Sequence, residues 1–398
     1  MSRPRLVLVT LENFSETTGQ SVRLGCLLPW LARWFDVTLV GRPQVLPGPV
    51  GDAVGQFIEL PLPGEPRPLA CFFHPFGPFR LMRLRAALGR LPARHAILYA
   101  DSILLGDMCR ATGARGRVVE LNGIISEEFR GKGLRASGWL YHVLRRWERA
   151  ALGRADRLIV VSRSIARFLA ESFGLGERVS VGDRLTILGN GVDPALFHPQ
   201  VDGTAIRRAR DWGSCPVGVF VGTFRPYHGV ENLIAMLPLV LERRPDFRLV
   251  LVGAGPRRPA CEDLVRRLGL GRSVEFAGPV AHEETPRWIA AADLALYYPD
   301  FRAGAGGFLF DPIKYYEYMA VGKPVVTIRE PNLAQAVSEA AILTEAGHQA
   351  YAQAVLELLD DPPRMADVGR IGAEYVLRNH TWESVAREIA NFCGVEPD

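Results

Sequence analysis

Short apolar runs of strand length, separated by helical patterns, recur along both halves of this chain and constrain its fold more than any other feature. In the first half they are Arg5–Thr10, Val37–Val40, Ile97–Ala100, Val118–Leu121, Leu158–Val161 and Leu185–Leu188. In the second half they are Val217–Val221, Arg248–Val252, Val274–Ala277, Leu294–Tyr297 and Pro324–Ile328. A strand that is apolar on both faces is covered on both faces, and strands that alternate with helices form parallel sheets. The pattern predicts an α/β chain with two doubly wound parallel-sheet domains. The joint between them is the Asn-Gly turn of Gly189-Asn190-Gly191-Val192-Asp193-Pro194, running to His198-Pro199. Domain limits of 1–198 and 199–377 follow, with an amphipathic tail over 378–398 that carries Trp382, Val385, Ile389 and Phe392 on one face.

A length of 398 residues, 48% apolar and 23% charged, supports two such cores and excludes a disordered or low-complexity chain. The six cysteines form no C-x-x-C pair, so neither a zinc site nor a disulfide framework is expected. No apolar stretch reaches the 18 residues of a membrane span, and Met1–Arg5 leads directly into the first strand. A cytoplasmic protein is the expectation. Charge divides unevenly: up to Pro199 there are 26 Lys+Arg against 17 Asp+Glu, and beyond it 21 against 26. Two halves of opposite sign are expected to meet different partners. Among the basic residues only Lys132, Lys314 and Lys323 are lysines, which makes a lysine in a motif conspicuous.

The first strand leads into Leu11-Glu12-Asn13-Phe14-Ser15, without the G-x-G-x-x-G of a dinucleotide site, and Gly253-Ala254-Gly255 lacks the third glycine. Two other constellations carry chemistry. In the first, Asp311-Pro312 opens a helix that continues through Lys314 and Glu317 to Gly322, behind a loop with Gly304, Gly306 and Gly307. A glycine loop before a helix N-terminus cradles phosphate, although Lys314 and Glu317 at this spacing also fit a plain ion pair. In the second, the strand Val217–Val221 ends at Gly222, and a loop with Arg225 and His228 precedes a helix near Gly229. Cations at the carboxyl end of a parallel strand sit where open α/β sheets bind ligands.

These segments, together with Asn190-Gly191-Val192-Asp193, Leu251-Val252-Gly253-Ala254-Gly255-Pro256, Val274-Glu275-Phe276-Ala277-Gly278, Ala292-Asp293-Leu294 and Tyr315–Val326, resemble the retaining glycosyltransferases of family 4 (glycosyl transferases group 1) over nearly the whole chain. The resemblance implies the GT-B fold, two Rossmann-like domains with an interdomain cleft. The first would bind the acceptor and the second a nucleotide-sugar, with the terminal helix returning to the first. It implies donor contacts from Gly222, His228, Gly253, Gly278, Val280, Ile313 and Glu317, the last on the ribose hydroxyls. Arg225 and Lys314 would stabilise the diphosphate leaving group as catalytic cations. Gly19, Asp101, Glu120 and Glu127 are the acceptor or first-loop candidates. Leu309 stands where the family's E-x7-E motif has its first glutamate, and Thr223 and His228 stand where it has an arginine and a lysine. No metal or other cofactor is implied, the nucleotide-sugar being a substrate.

The function so implied is transfer of a sugar from a nucleotide-diphosphate sugar to a glycan, glycolipid or glycoconjugate. A sugar-nucleotide epimerase of the same fold and a non-catalytic nucleotide-binding protein are the alternatives. Nucleic acid is not an expected partner, since no recognisable module interleaves the basic residues. An anionic membrane is. Leu81, Leu84, Leu88 and Leu91 share one helical face beside Arg80, Arg83, Arg90 and Arg94, next to the aromatic run from Cys71 to Phe79, a pattern that fits a core-packed helix with a solvated arginine face and also a helix lying on the inner face of the cytoplasmic membrane.

Overall fold

The apolar runs named above all form strands, shifted by no more than two residues at their ends. The computed structural model describes residues 3–15, 18–60, 77–131, 137–175, 184–300, 311–329 and 340–396. The first sheet contains β1 (Arg5–Val9), β2 (Asp36–Gly41), β3 (Gln56–Glu59), β4 (Ile97–Ala100), β5 (Gly116–Leu121), β6 (Arg157–Val160) and β7 (Leu185–Ile187). Its order is β3-β2-β1-β4-β5-β6-β7, and the pairings are parallel. The second contains β8 (Val217–Val221), β9 (Arg248–Val252), β10 (Val274–Gly278), β11 (Leu294–Tyr297), β12 (Val325–Ile328) and β13 (Ala341–Thr344), in the order β10-β9-β8-β11-β12-β13, again parallel. In each sheet the order reverses once, at β1/β4 and at β8/β11, and the loops leaving those strands diverge to opposite faces.

Two strands were not legible as apolar runs, β3 and β13. Both lie at sheet edges and are only partly buried, so their sequences need not be apolar on both faces.

The chain divides into two compact units, Met1–Asn190 with Trp382–Asp398, and Gly191–Thr381. The boundaries differ from those expected at 198/199 and 377/378, for a packing reason. Val192 and Phe197 are buried in the second unit's core, and Val192 bridges Thr381 and donates its N–H to His380 O at 2.9 Å. Arg378 and Asn379 end the helix Pro362–Asn379 and are not part of the tail helix. The tail helix, Trp382–Phe392, buries Trp382, Val385, Ala386 and Ile389. It lies against the helix Gly19–Trp34 of its own unit, with Glu383 3.3 Å from Arg33 and Arg387 over the Trp34 ring.

The basic helix, Gly77–Gly89, does not offer its leucines to a membrane. Leu84, Leu88 and Leu91 are buried in a core cluster with Val7, Leu98 and Leu105. The apolar stripe seen in the sequence is therefore a packing face, the core-packed of the two readings, and not a lipid face. The aromatic run up to Phe76 falls outside the described residues.

Among the described residues, no helix is long and apolar enough to cross a membrane.

Candidate functional site

In the second unit the candidate site is built on the β8/β11 reversal. β11 pairs with β8 only at Leu294 and Ala295, so the strands part before their carboxyl ends. Backbone groups exposed by that parting must find other partners. Tyr318 Oη accepts from Val221 N–H at 2.7 Å and donates to Val221 O at 3.3 Å. Tyr351 Oη accepts from Tyr297 N–H at 3.0 Å and donates to Val326 O at 2.6 Å. Tyr315 Oη lies 2.9 Å from Thr327 Oγ1. These hydroxyls satisfy the split and clamp the helix Ile313–Ala320 to it.

That helix begins one residue later than expected, with Pro312 and not Asp311 at the cap. Asp311 instead accepts from Tyr316 Oη at 2.9 and 3.1 Å. Among the described residues no side chain caps the helix, which leaves the positive end of the helix dipole at its first turn. Gly304, Gly306, Gly307 and Leu309 lie outside the described residues.

Lys314, in the first turn, reaches back over the strand ends. Its Nζ lies 5.2 Å from the Phe220 ring centre and 4.7 Å from that of Tyr297, and 3.5 Å from His228 Nε2. It makes no ion pair with Glu317 or with any other described carboxylate, so the plain ion-pair reading of that spacing does not hold. Burial pushes its ammonium down to about 7 against a weaker opposing pull from the Glu317 charge. Gly222 makes room for it: at φ 142° a β-carbon there would meet Lys314 Cε at 3.0 Å and Nζ at 3.1 Å. Gly253, at the end of β9, must also be glycine, because a β-carbon would come within 2.0 Å of Gly222 O.

His228 Nδ1 faces Thr223 O. A carbonyl only accepts, so Nδ1 carries the proton and Nε2 presents a lone pair toward Lys314. Burial, then the charges of Lys314 and Arg225, hold His228 well below the usual histidine range, which keeps the ring neutral. Arg225 is exposed beside it, at the N-cap of a 3-10 turn over Pro226–His228, with no hydrogen-bond or ion-pair partner for its guanidinium among the described residues. The loop after β8 and the first turn of the helix Ile313–Ala320 thus bring His228 and Lys314 together at the carboxyl edge of the sheet, with Arg225 beside them.

Glu317 is buried, and its Oε1 accepts from His282 Nε2 at 2.9 Å. Burial opposes a charge on His282, but the bond to Glu317 and its negative charge outweigh this and raise the imidazole above its usual value. His282 packs on the Phe197 ring with centres 5.3 Å apart. The sequence reading passed over His282. Its signal was position alone: it follows Gly278 and Val280 in the loop leaving β10, on the same carboxyl edge as Gly222 and Gly253. Gly278 is buried at φ 83°, and Val280 and Ile313 are half-buried.

In the first unit the β1/β4 reversal is closed. Thr10 Oγ1 and Asp101 Oδ2 are hydrogen-bonded across it, and Asp101 N–H donates to Val9 O. Asp101 is buried, and desolvation pushes its carboxyl up to about 8, so it carries a proton near neutrality. A folded value above the ordinary carboxylate range favours the fold below about pH 4, an advantage lost as pH rises to 8. Asp101→Asn removes that dependence. Its melting temperature is expected to gain on wild type between pH 5 and pH 8.5 (thermal unfolding), and parallel curves would show that Asp101 does not titrate so.

Glu120 and Glu127 do not present free oxygens. Glu120 is fully buried, paired with Arg23 through Nε at 3.0 Å and Nη2 at 2.9 Å, and it also accepts from Tyr99 Oη and Asn122 Nδ2. Glu127 accepts from Tyr141 Oη at 2.7 Å and pairs with Arg130 at 2.8 Å and Arg145 at 3.4 Å. Both carboxylates are thus engaged in structural bonds to arginine and tyrosine. Gly19 is not in a loop but opens the helix Gly19–Trp34, capped by Thr18, and no described residue beyond its chain neighbours and its own helix backbone comes within 4 Å of where its β-carbon would be.

Two family models match the chain: Glycosyl transferases group 1 over residues 215–361, and Glycosyl transferase 4-like domain over residues 18–191. A GDP-mannose-dependent alpha-(1-6)-phosphatidylinositol monomannoside mannosyltransferase of Mycolicibacterium smegmatis is 30% identical over 297 residues, 73% of each chain. Among solved structures, sucrose-phosphate synthase from Thermosynechococcus elongatus aligns over 98% of both chains with a TM-score of 0.77 and 21% identity. Anabaena HepE in complex with UDP-glucose aligns over 98% of this chain and 100% of its own, with a TM-score of 0.72 and 16% identity. At such identities the structures speak for the fold.

Proposed function

The chain belongs to the glycosyl transferases group 1 family, with a GT-B fold, and from that premise we propose that it is a retaining enzyme that moves a sugar from a nucleotide-diphosphate sugar to a lipid-linked or glycan hydroxyl. The second unit holds the donor and the first the acceptor, near the Thr18-capped start of the helix at Gly19. The observation that carries the reading is Lys314, a cation drawn out of water at a sheet reversal, beside a helix N-terminus that has no side-chain cap among the described residues, and with no carboxylate partner among them. Such a group lowers the energy of an arriving diphosphate more than that of a solvated protein.

In the transfer, the bond from the anomeric carbon to the β-phosphate oxygen breaks. Negative charge gathers on the leaving diphosphate, where Lys314 and Arg225 meet it. The bond to the acceptor oxygen forms on the same face, and the acceptor proton passes to the leaving phosphate oxygen. Neutral His228 offers Nε2 to the Lys314 ammonium and so orients it. Glu317, an acceptor-only group, takes the ribose hydroxyl protons, and His282 fixes its other oxygen. The cations meet the diphosphate charge without a metal in this reading. The mannosyltransferase relative makes GDP-mannose the first donor to test, with an inositol-bearing lipid as acceptor.

Glu317→Ala is expected to raise the donor dissociation constant about tenfold to a hundredfold, the worth of hydrogen bonds to a charged group, and to abolish turnover. Calorimetric titration with the donor and product analysis read both. Unchanged donor affinity would remove Glu317 from the site.

A further inference from the structure

The helix Trp139–Arg154 has one face that the fold does not use. Ala151 and Leu152 are buried, as is Glu148, and Trp147 donates its indole N–H to Asp107. The opposite stripe, at helical spacing, carries Trp139, 76% exposed, Val143, 53% exposed, and the exposed His142, Arg146 and Arg149. Trp139 and Val143 are two of the few large apolar side chains left in water among the described residues, and they are one turn apart.

The charge on this face is unbalanced, unlike that on two other helices of the chain. Arg258 and Arg370 each bond a glutamate four residues on, at 2.8 and 2.9 Å. Arg146 and Arg149 make no hydrogen bond or ion pair with a described residue. They flank an open groove of about 930 Å³ that Arg145 and Arg184 also line, and its described lining contains no carboxylate. Arg145 and Arg184 spend part of their donors on Glu127, Ser172 O and Ala155 O, which holds both guanidinium groups in place beside the groove.

We propose that this face docks on an anionic lipid bilayer, Trp139 and Val143 entering the headgroup layer while Arg146, Arg149 and the groove bind lipid phosphates. An indole suits that boundary, with an apolar body and a polar N–H. Guanidinium forks suit phosphate oxygens. Two apolar side chains are too few for the buried centre of a stable protein interface. The surface replaces the Gly77–Gly89 helix as the point of membrane contact, because there the leucines are in the core.

The test is sedimentation with vesicles of phosphatidylcholine alone and mixed with phosphatidylglycerol. Wild type is expected to partition onto the mixed vesicles and not the neutral ones. Loss of roughly fivefold per cation near an anionic surface gives a drop of more than tenfold for Arg146→Gln/Arg149→Gln. A similar loss is expected for Trp139→Ser/Val143→Ser, while Met82→Ser/Arg83→Gln on the other basic helix keeps wild-type binding. All these residues are exposed, so the variants fold, which circular dichroism checks. Equal wild-type partition onto both vesicles, or retained binding by the two Trp139–Arg154 variants, overturns the proposal. So does displacement from vesicles by millimolar inorganic phosphate, which would make the groove a soluble-anion site. A dimer that Trp139→Ser/Val143→Ser converts to monomer overturns it too, in favour of a second copy on this face.

Discussion

Lys314→Met is expected to lower turnover by about a hundredfold to a thousandfold, the usual cost of losing one fixed donor to developing charge, and at the same time to make the protein harder to unfold. The two effects have one cause. Burial pushes the Lys314 ammonium down to about 7, because no described carboxylate compensates its lost hydration. A folded value below the ordinary lysine value means that the unfolded chain holds more protons between about pH 7 and 10, so stability rises with pH across that window and the cost is complete below it. Methionine fills the same space over the Phe220 and Tyr297 rings without that cost. Its melting temperature is expected to exceed wild type's by a few degrees at pH 7, with the advantage gone near pH 10. Donor binding has the opposite sign. An arriving diphosphate keeps the proton on Lys314, so wild-type donor affinity is expected to fall by up to tenfold per pH unit above about pH 7, and the variant to lack that slope. A variant that is both slower and less stable would make Lys314 a packing residue.

The parts of this site differ in how far they could be read from the sequence, and the difference follows distance along the chain. Strands buried on both faces were legible because each is a local apolar run; β3 and β13, half exposed at edges, were not. Lys314 was legible as a scarce residue in a helix-opening motif. Its lack of a counter-charge was not, because Glu317 three residues on fits an ion pair, and only the fold shows Glu317 turned to His282. His282 itself lies 35 residues from Glu317, and no local pattern joins them. Position relative to the sheet, at the carboxyl edge, was the one signal available. The same signal misled in the first unit. Glu120 and Glu127 stand near strand ends, where ligands bind, but their oxygens are taken by Arg23, Tyr99, Tyr141 and Arg145, all four on other elements and Arg23 97 residues away. The leucine stripe of Gly77–Gly89 left core packing and lipid contact both open, since periodicity gives an apolar face without saying what covers it.

Arg23→Met is expected to destabilise the protein by about 3–5 kcal/mol, the range for removing one partner of a buried ion pair. Arg23 is 1% exposed and Glu120 0%, so the remaining carboxylate would have no water to turn to. The loss is wider than the pair. Arg23 also donates to Gly189 O at 2.8 Å, Asn190 Oδ1 at 3.1 Å and Leu188 O at 3.2 Å, which fastens the chain just beyond β7 to the helix Gly19–Trp34. Burial alone would raise the Glu120 carboxyl; the Arg23 charge, with its hydrogen bonds, outweighs this and holds it below the usual range. A depressed carboxyl contributes stability above its unfolded value and loses it as pH falls through the folded one, so the wild-type advantage should fade below about pH 4. In a cycle read by urea unfolding, Glu120→Gln is expected to cost a similar amount, and the double variant less than the sum of the two. It should not return to wild type, because the three acceptors at Leu188–Asn190 stay unpaired whichever residue replaces Glu120. Stability unchanged in Glu120→Gln, with a raised acceptor KM, would instead return Glu120 to the acceptor site.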